Sequence, residues 1–448
     1  MAGTYEIVKP SLGRLCSHEG VWSELADPDI KQREAVEYGL LYDAGSQCYW
    51  QVDAFDRWIK VNEAQARRSL LCNSKVAGGD LITALNHIVT YQNVALAGTL
   101  AGYPVGVYRV GPHTLILVTT SPEFIDPVPG DCQTIMTLLR QQLGEEQLLY
   151  MLGWLKGGIN SVKTHQHMPG QALVLCGVAG SAKTFVQDHL ITPLLGGRDA
   201  KPYQYMTGAT PFNADLFAGE HLVISDENAH TDLASRRDFG TRIKDICVNH
   251  RQKLHAKYKT GFMASPFWRL SVSCNDEPEN MMILPPMDPS IADKIMLLKV
   301  DMPTCLPDDE HREEYSDEFR SELPAFAAYL EEFVIPEELR SSRYGVTHFH
   351  HPDLVDALDG LAPEMELLDL IDMDLWRIQP IREVWEGTAA ELYSALIGES
   401  SQVRTQAKAT VRNGILCGRY LTRLTKKKEP RVRQYIREGR TQYLITPP

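Results

Sequence analysis

The sequence has no Cys-x-x-Cys pair, no uncharged run of about 18 apolar residues and no overall excess of positive charge. Each absence excludes a class of protein. Nine cysteines, at 16, 48, 72, 132, 176, 247, 274, 305 and 417, are odd in number and scattered, so reduced core residues are expected, neither disulfides nor a zinc site. The opening Met1-Ala-Gly-Thr-Tyr-Glu-Ile has no basic stretch followed by an apolar core, and with no apolar span elsewhere the expectation is a soluble, cytoplasmic protein that does not engage a membrane. The net charge of -13 argues on average against a nucleic-acid partner, but residues 401–448 carry twelve Lys and Arg against two Glu. A strongly acidic body therefore carries a basic tail. Internal repeats and low-complexity segments are also lacking.

What is present suits a large folded core. At 448 residues and 44% hydrophobic content, two to four domains are expected, of α/β class. Residues 1–128 mix apolar runs such as Cys48-Tyr-Trp-Gln-Val and Thr114-Leu-Ile-Leu-Val-Thr with helical stretches such as Asp80 to Val89, and read as a small α/β module of unassigned role. The Pro-rich Phe124-Ile-Asp-Pro-Val-Pro-Gly130 breaks both periods. Leu138, Leu139, Leu143, Leu148, Leu149, Leu152 and Leu155 then make 129–169 a helical connector or collar. Strands and helices alternate over 170–305, the segment that holds the chemistry, and 306–382 is helical and acidic. In 383–448, helices over Gly387 to Ile397 and Gly414 to Leu424 precede two strands, Arg431 to Ile436 and Thr441 to Ile445, the order of a winged helix. Its basic loop, Lys426, Lys427 and Lys428, with Arg404, Lys408, Arg412, Arg419 and Arg423, would face phosphates, or else dock a basic oligomerisation tail on the acidic body.

The chemistry centres on one segment. Gln171-Ala-Leu-Val-Leu-Cys176 is a buried-strand run that leads into Gly177, Val178, Ala179, Gly180, Ser181, Ala182, Lys183 and Thr184, followed by a helical stretch from Phe185 to Leu195. Strand, small-residue loop and helix in that order form a phosphate-binding loop: backbone amides turn toward phosphates at the positive end of a helix, Lys183 contacts the β- and γ-phosphates, and Thr184 holds Mg²⁺. Ala182 stands where a second glycine is usual before the lysine, and its small side chain is expected to be tolerated.

Hydrolysis needs acids at the end of a second strand. His221-Leu-Val-Ile-Ser-Asp-Glu-Asn228 supplies them, with Asp226 as the Mg²⁺ anchor and Glu227 as the catalytic base. A third strand, Trp268-Arg-Leu-Ser-Val-Ser-Cys274, ends in Asn275, either a sensor amide that touches the γ-phosphate and the attacking water or the cap of the turn that follows.

With loop, acid pair and asparagine in this order, residues 130–448 resemble the helicase domain of superfamily 3, and more closely the phage and plasmid primase-helicases with a poxvirus-type helicase region. The resemblance extends to Phe212-Asn-Ala-Asp-Leu-Phe-Ala-Gly ahead of the acidic strand, to Glu322-Leu-Pro-Ala-Phe326 and to Arg343-Tyr-Gly345. It implies an AAA+-like fold, ATP and Mg²⁺ as cofactors, and a homo-oligomeric ring, usually a hexamer, that draws single-stranded DNA through its channel. It also implies a lysine-rich pore segment, here Arg251, Lys253, Lys257 and Lys259 with Tyr258 or Phe262 to stack on bases, although such a basic run can equally be a solvated face. A residue acting on the neighbouring subunit's γ-phosphate is expected shortly after the sensor strand. Lys294 stands there where Arg is usual, and Arg269 and Arg343 are substitutes.

His165-Gln-His167 and His348-Phe-His-His351 read as ordinary loop histidines, and the amino-terminal part shows no acid triad, so primer synthesis is not expected. The function implied is an ATP-driven DNA helicase serving replication of a phage, prophage or plasmid-like element. The alternative is a regulatory or anti-phage ATPase that uses the same ring as sensor or scaffold, with a replication or defence protein as partner.

Overall fold

Five strands, apolar along most of their length, assemble into one parallel sheet. β1 (Ala172–Gly177), β2 (Asp199–Ala200), β3 (His221–Ser225), β4 (Arg269–Cys274) and β5 (Ile295–Val300) lie in the order β5-β1-β4-β3-β2, and every neighbouring pair is parallel. β1 and β4 are buried at every position, as expected of a parallel sheet covered on both faces. The computed structural model describes residues 30–32, 36–72, 76, 80–110, 114–225, 233–257, 261–287, 289–377 and 384–448. Asp226, Glu227, Tyr258, Lys259 and Cys16, all singled out in the sequence, lie outside the described residues.

The chain divides into two units, one of residues 1–227, 241–275 and 289–350, the other of 228–240, 276–288 and 351–448. The parallel sheet belongs to the first. One of its faces packs on the 32-residue helix Gln133–Thr164, whose Ile135, Leu139, Leu152 and Leu155 share a core with Leu173, Leu175, Met296 and Leu298. Helices Arg312–Ser321 and Leu323–Glu332 add Phe319, Leu323, Phe326 and Leu330 to the same core. The stretch read as a connector is thus part of the core of the sheet, and the acidic segment 306–382 is divided between the two units at His350.

A polar layer lies beneath the strands. The helix that begins at Lys183 relaxes into a π-turn over Gln187–Ile191, and Gln187, wholly buried, donates to the carbonyl of Ile224 (3.2 Å) and the hydroxyl of Ser271 (2.7 Å). His221 bridges Ser271 and Thr192 at 2.7 Å on each ring nitrogen, and burial drives its pKa down to about 3, so the ring is neutral. The π-turn lets one side chain reach both β3 and β4.

Residues 30–118 build two further sheets. One is four-stranded, in the order Ile30–Gln32, Gly106–Val110, Thr114–Val118, Val94–Gly98. The other is an antiparallel meander of Leu40–Asp43, Cys48–Val52 and Trp58–Val61, packed with helices Glu63–Cys72 and Leu81–Tyr91. Between Gly98 and Gly106 this region closes on the parallel sheet. The fully buried Glu220 accepts from the N–H of Gly102 (2.6 Å) and pairs with Arg198, which also donates to the carbonyls of Leu100 (3.3 Å) and Thr120 (2.8 Å). Tyr103 packs on Phe267 and His165.

In the second unit, Thr388 caps helix Ala389–Leu396 through a capping box with Glu391, and Asn413 caps Gly414–Lys426. Helix Arg404–Thr410 lies between them in sequence. A three-stranded antiparallel sheet follows, in the order Trp385–Gly387, Arg440–Ile445, Val432–Arg437, its hairpin closed by Glu438 and Gly439, both at positive φ (52° and 74°). Leu367, Ile371, Leu392, Cys417, Tyr420, Leu421 and Ile445 form its core.

Of the cysteines described, Cys48, Cys132, Cys176, Cys247, Cys274 and Cys417 are free and buried as expected. Cys72 is exposed and Cys305 half-buried, which corrects the expectation for those two. No helix among the described residues is long and apolar enough to cross a membrane.

Candidate nucleotide-binding site

The loop read as phosphate-binding leaves the carboxyl end of β1, next to β4 and β5. Gly177 is required there by close approach: a Cβ would meet the carbonyl oxygen of Val300 at 1.9 Å. Gly180 takes φ 82°, where L side chains are disfavoured. Ala182 also lies in the left-handed region, at φ 61°. An alanine therefore adopts the conformation for which a glycine is usual, at a cost of about 1 kcal/mol.

Lys183 is buried, and its ammonium donates to the carbonyls of Gly177 (2.9 Å) and Val178 (2.8 Å), to Ser181 Oγ (3.4 Å) and to Asn275 Oδ1 (3.0 Å). The register pairs Cys274 with Cys176, which brings Asn275 level with Gly177, whose carbonyl Lys183 also holds. The Asn275 side chain faces the loop, where its Oδ1 accepts from Lys183. Ser225, at the end of β3, is level with Ser273 on β4. Asp226 and Glu227 come directly after Ser225 in the chain.

A cavity of about 410 Å³ opens beside the loop, lined by Ala179 to Phe185, Asn275, Leu306, Pro307, Arg312, Tyr315 and Ser316. Sequence reasoning supplied its floor, Ala179 to Thr184, but missed its outer wall. Burial pushes the Tyr315 hydroxyl well above the usual phenol range, and among the described residues its oxygen has no hydrogen-bond partner that meets normal geometry. Phe185 stacks on His189 and meets Phe319 edge-on. The only signal for this wall was Leu306-Pro307 ahead of an acidic helix, which carries no chemistry by itself.

The basic segment after the acid pair forms an antiparallel hairpin, Gln252–Leu254 with Phe262–Ala264. Gln252 and Leu254 point inward, while Arg251, Lys253 and Lys257 are exposed and Phe262 is half-buried. Asn213 holds its first strand where the connection begins: its Nδ2 donates to the carbonyl of Lys253 (2.9 Å), its Oδ1 accepts from His255 N–H (2.7 Å), and its own N–H donates to the carbonyl of His255 (3.1 Å). The Phe212-Asn213 pair noted in the sequence thus serves to fix this hairpin.

Lys294 lies at the opposite end of the sheet, just before β5. Its Nζ donates to Asp293 Oδ1 (2.5 Å) and to the carbonyl of Ser290 (3.0 Å), and its side chain is 14% exposed. Arg343, 51% exposed, and the Tyr344 hydroxyl converge on the other oxygen of Asp293 at 3.5 and 3.1 Å. Burial raises the pKa of this carboxyl, but hydrogen bonds from Lys294 and Tyr344 outweigh it and hold the pKa below the usual range. Arg269 is excluded as a residue for a neighbouring subunit. It is buried within β4, passes beside Gly158 and Gly170, and donates to the carbonyls of Trp268 (3.0 Å) and Gly157 (3.3 Å). Burial lowers its pKa to about 10, which still leaves it charged at neutral pH.

Histidines His165 and His167 lie in a loop, as read, but a packed one. His165 is buried and stacks on Phe267, while His167 stacks on His250 and is pushed down to about 4 by burial and by that neighbour. In the second unit, Lys426, Lys427 and Lys428 are all exposed, but Lys427 pairs with Asp359 (2.7 Å) and Glu364 (3.4 Å), and Arg423 lies 3.6 Å from Glu364. Arg404, Lys408, Arg412 and Arg419 are exposed.

No protein-family model and no curated protein matches the chain. Solved structures do. The apo structure of the NrS-1 C-terminal region (305–718) superposes over 94% of this chain and 96% of that one, with a TM-score of 0.52 and 12% identity. An A-form apo structure of the same region covers 94% and 97%, at 0.51 and 11%. The chain shares that fold. A structure titled as the active helicase Cch of type IV SCCmec aligns with 86% of this chain and 69% of that one at a TM-score of 0.28 and 10% identity, a value at which no common fold is shown.

Proposed function

We propose that this protein binds and hydrolyses ATP at the carboxyl end of its parallel sheet and uses the energy as a superfamily 3-type DNA helicase with an AAA+-like core. The observation that carries this reading is the 3.0 Å contact between Lys183 Nζ and Asn275 Oδ1 at the ends of adjacent strands, beside a cavity of about 410 Å³. A loop that only bound phosphate would need no amide there. A motor needs one to read the γ-phosphate and the attacking water.

In this mechanism the backbone amides from Ala179 to Thr184 cradle the phosphates, and Lys183 exchanges loop carbonyls for phosphate oxygens. The Thr184 hydroxyl, with Asp226, offers the hard oxygen donors that Mg²⁺ prefers; the metal would neutralise charge on the transferring phosphoryl group. Glu227 takes the proton from the attacking water, and Asn275 orients it. The exposed Arg251, Lys253 and Lys257 on a hairpin pinned by Asn213 suit contact with DNA phosphates, with Lys259 nearer its tip in sequence. Strand, three helices and hairpin in the second unit have the order of a winged helix, and the exposed Arg404, Lys408, Arg412, Arg419, Lys426 and Lys428 are its candidate phosphate contacts. We further propose a ring, with a hexamer as the working number, and replication of a phage, prophage or plasmid-like element as the setting.

The test is ATP turnover by the purified chain with and without single-stranded DNA, together with strand displacement. Stimulation by DNA, unwinding, and a Glu227→Gln protein that binds nucleotide but turns over at least 100-fold more slowly are expected. Unstimulated turnover without unwinding rejects the helicase in favour of a sensor or scaffold ATPase.

A further inference from the structure

The helix Gln133–Thr164 is broken once, at Gly144, which has φ 64° and ψ 175°. A Cβ at Gly144 would meet nothing within 4 Å, so backbone conformation rather than crowding calls for glycine. Glutamines flank the break. Gln147 brackets Lys299 on β5, accepting from its N–H (2.8 Å) and donating to its carbonyl (3.0 Å). Gln141 Oε1 accepts from the N–H groups of Thr304 (2.7 Å) and Cys305 (3.0 Å) and from the Thr304 hydroxyl (3.2 Å), immediately before the Leu306-Pro307 wall of the cavity. Gln142, 3% exposed, donates from Nε2 to the carbonyl of Ser181 at 2.5 Å.

That last bond falls on the phosphate loop itself. An intact helix would direct the Gln142 carbonyl to the N–H four residues on; beside the break it accepts from Asp301 N–H (2.9 Å), which ties the same residue to the end of β5. Gln142 sits between Leu139 and Leu143 on a buried face where an apolar side chain would pack without desolvating an amide. Its amide therefore has to be accounted for by the bond it makes. The peptide linking Ser181 to Ala182 is planar, with its C=O and N–H pointing in opposite directions. A donor on the carbonyl fixes the N–H of Ala182 on the other side, at a residue that lines the cavity.

We propose that Gln142 is a positioning residue for nucleotide binding: it holds the Ser181–Ala182 peptide so that the Ala182 amide faces bound phosphate, while Gln141 holds the opposite wall of the cavity by accepting hydrogen bonds. This inference rests on the nucleotide reading of the loop. It has a polarity that a merely structural role lacks. Gln142 must donate, whereas Gln141 must accept.

The test is therefore made at Gln142 alone. Affinity for a fluorescent ATP analogue is measured on the full chain, with the unfolding midpoint recorded alongside. Gln142→Glu at pH 8 loses its donor and is expected to bind at least tenfold more weakly than the parent. As pH falls toward 5.5 the Gln142→Glu carboxyl takes up a proton and can again donate to Ser181, so its deficit relative to the parent at each pH should shrink. Gln142→Met, of similar length and apolar, should show the deficit at every pH and serves if Gln142→Glu fails to fold. Equal affinity of the parent and both Gln142 variants, or a Gln142→Glu deficit that does not change with pH, overturns the proposal. Absence of binding by the parent itself overturns the nucleotide reading and this inference with it.

Discussion

Lys183 and Lys294 sit at opposite ends of neighbouring strands, and both are largely buried, yet they are held by different chemistry. Among the described residues, the acceptors around Lys183 are neutral: two carbonyls, a hydroxyl and an amide oxygen. Lys294 is held by a carboxylate that also takes Arg343 and Tyr344. Neutral dipoles stabilise an ammonium without cancelling its charge, so its field remains available to an anion that approaches the loop. A carboxylate cancels it. Burial alone therefore does not distinguish a working lysine from a structural one; the charge of its partners does.

The comparison can be broken most sharply at the loop. Lys183→Ala should lower nucleotide affinity at least ~100-fold, the loss of a charged contact worth roughly 3 kcal/mol, measured by calorimetric titration. Affinity within a few-fold of the parent would remove Lys183 from the site. Next, Asn275→Ala should slow turnover by about 100-fold while shifting affinity less than tenfold, read from single-turnover and binding data. A smaller effect is expected at the other lysine. Asp293→Asn should cost about 1 kcal/mol of folding stability, because the cluster is half-exposed and screened. Its sign with pH is fixed: the Asp293 pKa is depressed in the fold, so its contribution is present above the ordinary aspartate value and lost as pH falls through the folded one. Denaturant titrations of parent and variant should thus converge in acid. Convergence at high pH instead would show that the carboxylate does not hold the two cations. The smallest effect belongs to Ala182→Gly, where relief of left-handed strain and greater freedom of the unfolded chain, each about 1 kcal/mol or less, nearly cancel. A change in melting temperature of more than about 4 °C would contradict this.

How much of this was legible in the sequence depended on distance along the chain. Ala172 to Thr184 could be read because strand, loop and helix are contiguous and each has a local signature. The capping box at Thr388 and Glu391 and the terminal hairpin were legible for the same reason. The contact between Lys183 and Asn275 was legible only as an order of motifs, because residues 92 apart meet through a register that sequence does not encode locally. Arg269 looked available because a single arginine in a strand run gives no sign of its depth. The glutamines around Gly144 were invisible for a similar reason: in a leucine-rich helix they scan as solvent-facing positions, and only the packed structure puts Gln142 inside.

The buried Glu220 has a practical consequence. Its carboxylate is satisfied by the backbone of Gly102 and by Arg198, which in turn leans on Leu100 and Thr120. Cutting the chain at about residue 128 to isolate the sheet would strip partners from an ion pair and uncover Phe267 where Tyr103 now rests. The first strands are thus no detachable accessory. A shortened version of this protein would leave a buried carboxylate short of its backbone donor at the edge of its own core.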